Sequence, residues 1–200
     1  MEANPATTLE KRSELEATWL KYTQEGHKAH EDRRYAFGEL KFLSALKAAE
    51  SLAEGLRSAD FAHVDAESNA EKLQGFADLE RLARALNNVA ALYQLQGKYE
   101  MAEAAYERSL DIKLDLYGAD HLETAVNLHN LATLHCAKRR YEKAEILYKR
   151  VLEVRENLLG EDDVQLVAVL KNYAAMLKKV HRDEEALALE ERACAIEKKA

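Results

Sequence analysis

The chain has 200 residues, of which 48% are apolar and 32% charged, and its 29 lysines and arginines against 36 aspartates and glutamates give a formal charge of −7. This composition excludes a disordered chain, and the acidic excess argues against nucleic acid and anionic membrane as main partners, since both need a basic face. No apolar run approaches the roughly 18–20 residues of a membrane span.

At the N-terminus, "MEANPATTLEKR" lacks the basic-then-apolar order of a secretory signal. Cys136 and Cys194 stand far apart with no C-x-x-C, and read as free thiols of a reducing cytoplasm. Pro5 is the only proline, so no later position forces a helix to break through proline chemistry. Residues 1–56 are expected to form a first helical hairpin, a degenerate copy or cap. Residues 57–77 form an extra linker or short helix, which leaves open whether they fill a groove of the chain itself.

From residue 78 onward the chain repeats itself. "LNNVAALYQLQGKYEMAEAAYERSL" begins at 86, "LHNLATLHCAKRRYEKAEILYKRVL" at 128 and "LKNYAAMLKKVHRDEEALALEERAC" at 170, each 42 residues after the one before. A fixed period of this size marks a stacked repeat architecture. Within each copy the apolar spacing is helical: Leu86, Val89, Ala90 and Tyr93 follow i, i+3, i+4, i+7, and Ala102, Ala105, Tyr106, Ser109 and Leu110 do so one helix later. The units run 78–119, 120–161 and 162–200. Gly97 separates two helices, and Gly118 and Gly160 sit where a left-handed residue is cheap. "DHLE" at 120–123 and "DDVQ" at 162–165 have the pattern of capping boxes, with the first Asp accepting from the amide three residues on.

A first copy appears when Tyr35 is placed under Tyr99, an offset of 64. Gly26 then falls under Ala90, Gly38 under Ala102 and Phe42 under Tyr106. In the last copy Asp183 and Glu190 replace tyrosines of the earlier copies, so the final helix has the polar outer face of a terminal cap. The chain is expected to end naturally near residue 200.

The order L-N-N-V-A-x-L-Y-x-x-Q-G-K-Y-x-x-A-E-x-x-Y-x-R-S-L, followed by "LYGADH", resembles the tetratricopeptide repeat (TPR), in the 42-residue form of kinesin light chains. The resemblance covers 78–200 strongly and 14–56 weakly. It implies an all-α fold, a right-handed α-solenoid of about four hairpins and about eight main helices. Ala90, Ala132 and Ala174 on first helices and Ala102, Ala144 and Ala186 on second helices fill the family's small positions, where backbones approach closely. Tyr106 and Tyr148 fill the space between successive pairs.

The resemblance also implies that first helices line a concave groove for a partner's peptide. The groove residues would be Asn87, Asn88, Ala91 and Gln94 in the second hairpin, and His129, Asn130, Thr133 and Cys136 in the third. Lys171, Asn172, Ala175 and Lys178 follow in the fourth, with Thr23, Gln24, His27 and His30 from the weaker first copy. Asn88, Asn130 and Asn172 make a ladder of amides, able to pair with an extended peptide backbone, to hold neighbouring hairpins in register, or both. Lys171, Lys178 and Lys179 make a small basic stripe, read either as attraction for an acidic peptide or as a solvated face. A family clamp for a terminal carboxylate lacks its second Asn here, since that position holds Ala91, Thr133 and Ala175.

Catalytic and metal signals are weak. "HKAHE" offers His27 and His30 one turn apart without a third ligand, and no phosphate-loop, dinucleotide, zincin or nucleophile-elbow motif occurs. Cys194 takes the place of Leu110 and Leu152 and is expected to be a buried core thiol. No enzyme activity, cofactor or metal is expected. The function indicated is a cytoplasmic protein-protein interaction module that binds a peptide segment of a partner. Alternatives are a self-assembly unit that forms a homodimer and a sensor domain that closes on a small ligand.

Overall fold

The computed structural model describes residues 5–62, 64 and 68–199, with side chains from residue 9 onward. Among these residues all regular structure is helical. In chain order the helices are α1 (Pro5–Glu31), α2 (Tyr35–Leu52), a short 3-10 turn (Ser58–Phe61), α3 (Ala70–Leu95), α4 (Tyr99–Tyr117), α5 (Leu122–Ala137), α6 (Tyr141–Leu159), α7 (Leu166–Lys179) and α8 (Asp183–Lys199). They form four hairpins. Second helices start at Tyr35, Tyr99, Tyr141 and Asp183, and first helices end at Glu31, Leu95, Ala137 and Lys179. The intervals are 64, 42 and 42 in both series, so the offset that aligned the first copy also relates its helices. The chain divides into two compact units, Met1–Leu116 and Tyr117–Ala200.

In the first unit α1 packs on α2 and α2 on α3. Gly26 permits the approach: a Cβ there would meet the Phe42 ring at 2.5 Å. α1 and α3 are longer than the other first helices, and their N-terminal halves are tied by charge. Asp78 is buried among Arg12, Arg81 and Gln74, with Arg81 Nη1 donating at 2.7 Å and Gln74 Nε2 also donating to Glu16 at 3.1 Å. A buried carboxylate is tolerated because these donors replace its water. The buried Ser109 hydroxyl donates to the Ala83 carbonyl at 2.7 Å and joins α4 to α3. α3 begins at Ala70, eight residues ahead of the expected boundary at 78. The 3-10 turn lies against its start, where Phe61 sits over Gly75 so closely that a Cβ would meet the ring at 2.3 Å, and Ser58 donates to Asp115 on α4. Residues 63 and 65–67 of the linker lie outside the described residues.

In the second unit α5 packs on α6, α6 on α7 and α7 on α8 around one apolar core. Tyr148 stacks on Tyr173 at 5.5 Å, and the Tyr173 hydroxyl donates to Glu145 at 3.0 Å. Arg182, in the turn before α8, reaches the same carboxylate at 2.6 Å and also forks onto Glu185. Arg182 first, then Lys149, hold the Glu145 carboxyl down at about 2.

Two readings from the sequence are corrected. The capping boxes do not form: the Glu123 amide donates to His121 Nδ1 at 3.1 Å and the Gln165 amide to Asp163 Oδ1 at 2.8 Å, each acceptor one residue later than expected. Asp120 and Asp162 are instead drawn to Arg150 and Lys199. Cys194 is exposed, with Ala193 and Ile196 turned into the core. The corresponding Leu152 is buried because α6 is covered by α7, whereas no described helix covers that face of α8. Of the basic stripe, Lys171 pairs with Glu197 and Lys178 with Glu190 on an exposed face, each at 2.7 Å.

Candidate functional site

The six small positions are fully buried: Ala90, Ala102, Ala132, Ala144, Ala174 and Ala186 all have 0% exposure. Tyr106 and Tyr148 are buried with them, and burial pushes both phenols above their ordinary range. These side chains form the floor under the first helices.

Above that floor each unit has a cleft. In the first unit a cleft of about 140 Å³ is lined by His27 and His30 of α1, Phe42 of α2, and Asn88, Ala91, Leu92 and Leu95 of α3. In the second, a cleft of about 170 Å³ is lined by Thr133 and Cys136 of α5, Tyr148 of α6, and Asn172, Ala175, Met176 and Lys179 of α7. The two linings correspond position by position. Adding 106, which is 64 plus 42, to His27, His30 and Phe42 gives Thr133, Cys136 and Tyr148. Adding 84, twice the period, to Asn88, Ala91, Leu92 and Leu95 gives Asn172, Ala175, Met176 and Lys179. One repeat geometry therefore builds the same concavity twice: an aromatic floor from a second helix, two residues from its own first helix, and four from the next first helix.

The chemistry of the two has diverged. Seven stations that read His, His, Phe, Asn, Ala, Leu, Leu in the first unit read Thr, Cys, Tyr, Asn, Ala, Met, Lys in the second. The amide station alone keeps a polar residue of one kind. Asn88 is half-buried and has no hydrogen-bond partner among the described residues. Asn172 donates from Nδ2 to His129 Nε2 at 2.9 Å, across from α7 to α5. That bond requires an unprotonated Nε2. Burial first, then the charge of Arg155, lowers the His129 pKa to about 4, which keeps the ring in that form near neutrality. Thr133 donates to the Asn130 carbonyl at 2.8 Å. Cys136 Sγ donates to the Tyr148 hydroxyl at 3.8 Å, and burial raises its thiol pKa despite that bond and the nearby Lys179. A raised thiol pKa does not suit a nucleophile.

Of the residues expected in a groove, the structure gathers His27, His30, Asn88 and Ala91 in one cleft and Thr133, Cys136, Asn172 and Ala175 in the other. Asn87, Gln94, Asn130, Lys171 and Lys178 line neither, and His129 stands behind Asn172. Among the described residues no group of three or more His, Cys, Asp or Glu could hold a metal ion, and no helix is long and apolar enough to cross a membrane. Sequence reasoning missed Asp78 and Arg155. Arg155 is buried and donates to the Gln165 carbonyl. Neither has a motif, and each is visible only once its partners are in place.

The tetratricopeptide repeat family model matches residues 81–157 and 127–199, well over half of the chain. The chain belongs to the tetratricopeptide repeat family. Among solved structures, it is similar to BtubC (BKLC) from P. vanneervenii at 19% identity, with 92% of this chain and 91% of that one covered and a TM-score of 0.56. A putative kinesin light chain with nearly identical TPR-like repeats from Podosopora anserina aligns at 16% identity over 94% of this chain and 97% of that one, with a TM-score of 0.55. No match was found among curated proteins. The fold is thus an all-α repeat of the kinesin light chain type. TPR repeats generally mediate protein–protein interaction or scaffolding and are typically non-enzymatic.

Proposed function

We propose that this TPR protein is a non-enzymatic cytoplasmic interaction module that holds an extended peptide segment of a partner along the first helices of its hairpins. The observation that carries this reading is the recurrence of one cleft, built from the same seven stations, with an asparagine at the same place in each. Each such cleft could seat a side chain of a bound segment while its asparagine amide pairs with the segment's backbone. Pre-formed helices supply that surface without ordering cost on the receptor side.

The test fills the clefts. Ala91 and Ala175 line them from half-buried and exposed positions, so a double Ala91→Arg, Ala175→Arg variant blocks both while leaving the buried alanines untouched. Wild type, this variant and Ile146→Arg, a change at an exposed residue of α6, are immobilised and incubated with a cytosolic extract. Circular dichroism checks that all three are folded. A protein retained by wild type and Ile146→Arg, and reduced at least about tenfold on the double variant, supports the reading; a tenfold loss corresponds to ~1.4 kcal/mol of binding. Equal retention on all three overturns it. Retention only of further copies of this chain would put self-assembly in its place.

A further inference from the structure

The second-unit cleft differs from the first in holding a cation, and the ion pairs of the fold leave that cation alone. Lys171 and Lys178, its neighbours on α7, are neutralised by Glu197 and Glu190 of α8. Lys179 has no carboxylate or hydrogen-bond partner among the described residues, and it lines the cleft. The other polar groups of the lining are already engaged: Thr133 with the Asn130 carbonyl, Cys136 with Tyr148, and Asn172 with His129. In a protein of net charge −7, one uncompensated ammonium group beside a concavity is a local reversal of sign.

We propose that this cleft is an acidic-side-chain subsite: it takes an aspartate or glutamate of the bound segment, with the carboxylate on Lys179 Nζ and the side-chain methylenes against Ala175, Met176 and Tyr148. The inference rests on the groove reading above and adds the chemistry of one position. A lone lysine fits a side-chain carboxylate better than a chain end. A terminal carboxylate is ordinarily held by several charged donors converging on it, and Lys179 is the one charged donor of this lining. The corresponding station of the first-unit cleft is Leu95, so acidic preference belongs to the second unit only.

The probe is a library of N-acetylated, C-amidated dodecapeptides carrying Glu, Asp, Gln or Asn at a fixed central position in otherwise randomised sequence, with a matched set that keeps free C-terminal carboxylates. Wild type, Lys179→Met and Lys143→Met, an exposed lysine of α6 outside the cleft that matches the charge change, are compared. The expected result is an enrichment of central Glu or Asp over Gln or Asn of about fivefold on wild type and Lys143→Met, the size of a solvent-exposed ion pair. It disappears on Lys179→Met and weakens with added salt. Peptides retained with no acidic preference, or with one that survives Lys179→Met, overturn the subsite and leave the groove reading standing. Enrichment confined to free C-terminal carboxylates also overturns it. Retention of no peptide by any of the three proteins overturns both.

Discussion

A single pair shows how residue chemistry and repeat geometry meet. The Asn172 amide donates to His129 Nε2, and the imidazole has its pKa lowered to about 4 by burial and then by Arg155. An unfolded histidine titrates near 6.5, so between about 6.5 and 4 the unfolded chain binds the extra proton and the folded one does not. Stability from this group is therefore complete above 6.5 and falls as pH drops towards 4, by roughly 1–3 kcal/mol. Glu145, held down at about 2 by Arg182 and Lys149, keeps its contribution down to its unfolded value near 4.5 and loses it between there and about 2, below the pH range of the urea comparison. The expected outcome is a urea midpoint that falls between pH 7 and pH 4.8 in wild type and falls much less in His129→Gln, which keeps an acceptor for Asn172 without a titrating ring. Equal pH dependence in the two proteins would show that His129 does not carry the effect.

At the scale of the element, the turns state the repeat more plainly than the helices do. The left-handed residue between paired helices is Arg33, Gly97, Arg139 and His181, with φ of 58°, 73°, 57° and 60° and spacings of 64, 42 and 42. Only Gly97 was legible as a turn residue in the sequence, because glycine announces a positive φ and arginine or histidine does not. At Gly97 a Cβ would meet nothing within 4 Å, so Gly97→Ala tests backbone conformation without a clash. It should destabilise by ~1–2 kcal/mol, read as a lower urea midpoint. An unchanged midpoint would mean that the turn does not need the left-handed conformation. The same contrast explains what else could and could not be read in advance. Alanines, tyrosines and glycines at a fixed period announce the hairpins, since burial and close approach constrain residue type at each copy. The helix starts at His121 and Gln165, the Asp78 cluster and the pairing of Lys171 and Lys178 depend on partners brought together from elsewhere in the chain, so no local pattern encodes them. The cleft positions were partly legible for the same reason: the repeat gave Asn88, Ala91, Asn172 and Ala175, but the free lysine emerged only after subtracting the ion pairs.

At the scale of the whole molecule, packing within each unit is mainly between chain neighbours, α1 with α2 and α2 with α3 in the first and α5 with α6, α6 with α7 and α7 with α8 in the second, while α1 also reaches α3 and α5 touches α7. Such an array has no single centre, and its stability is a sum of hairpin and neighbour-interface contributions. Damage should therefore stay local. Ala144 on α6 is fully buried within the core of the second unit, and Ala144→Leu should overpack that core at a cost of ~1–3 kcal/mol. In native-state hydrogen exchange the amides of α5 to α8 should lose protection by a comparable amount, while those of α1 and α2 keep theirs to within a few tenths of a kcal/mol, because sub-global opening reports the stability of each cooperative unit. Uniform loss along the chain would instead mean one global unfolding unit. The functional consequence follows from the same locality: a change that loosens the second-unit cleft at Asn172 and Lys179 should leave the first-unit cleft at Asn88 and Leu95 intact. The two clefts can then be altered one at a time, and the contribution of each to partner binding measured separately.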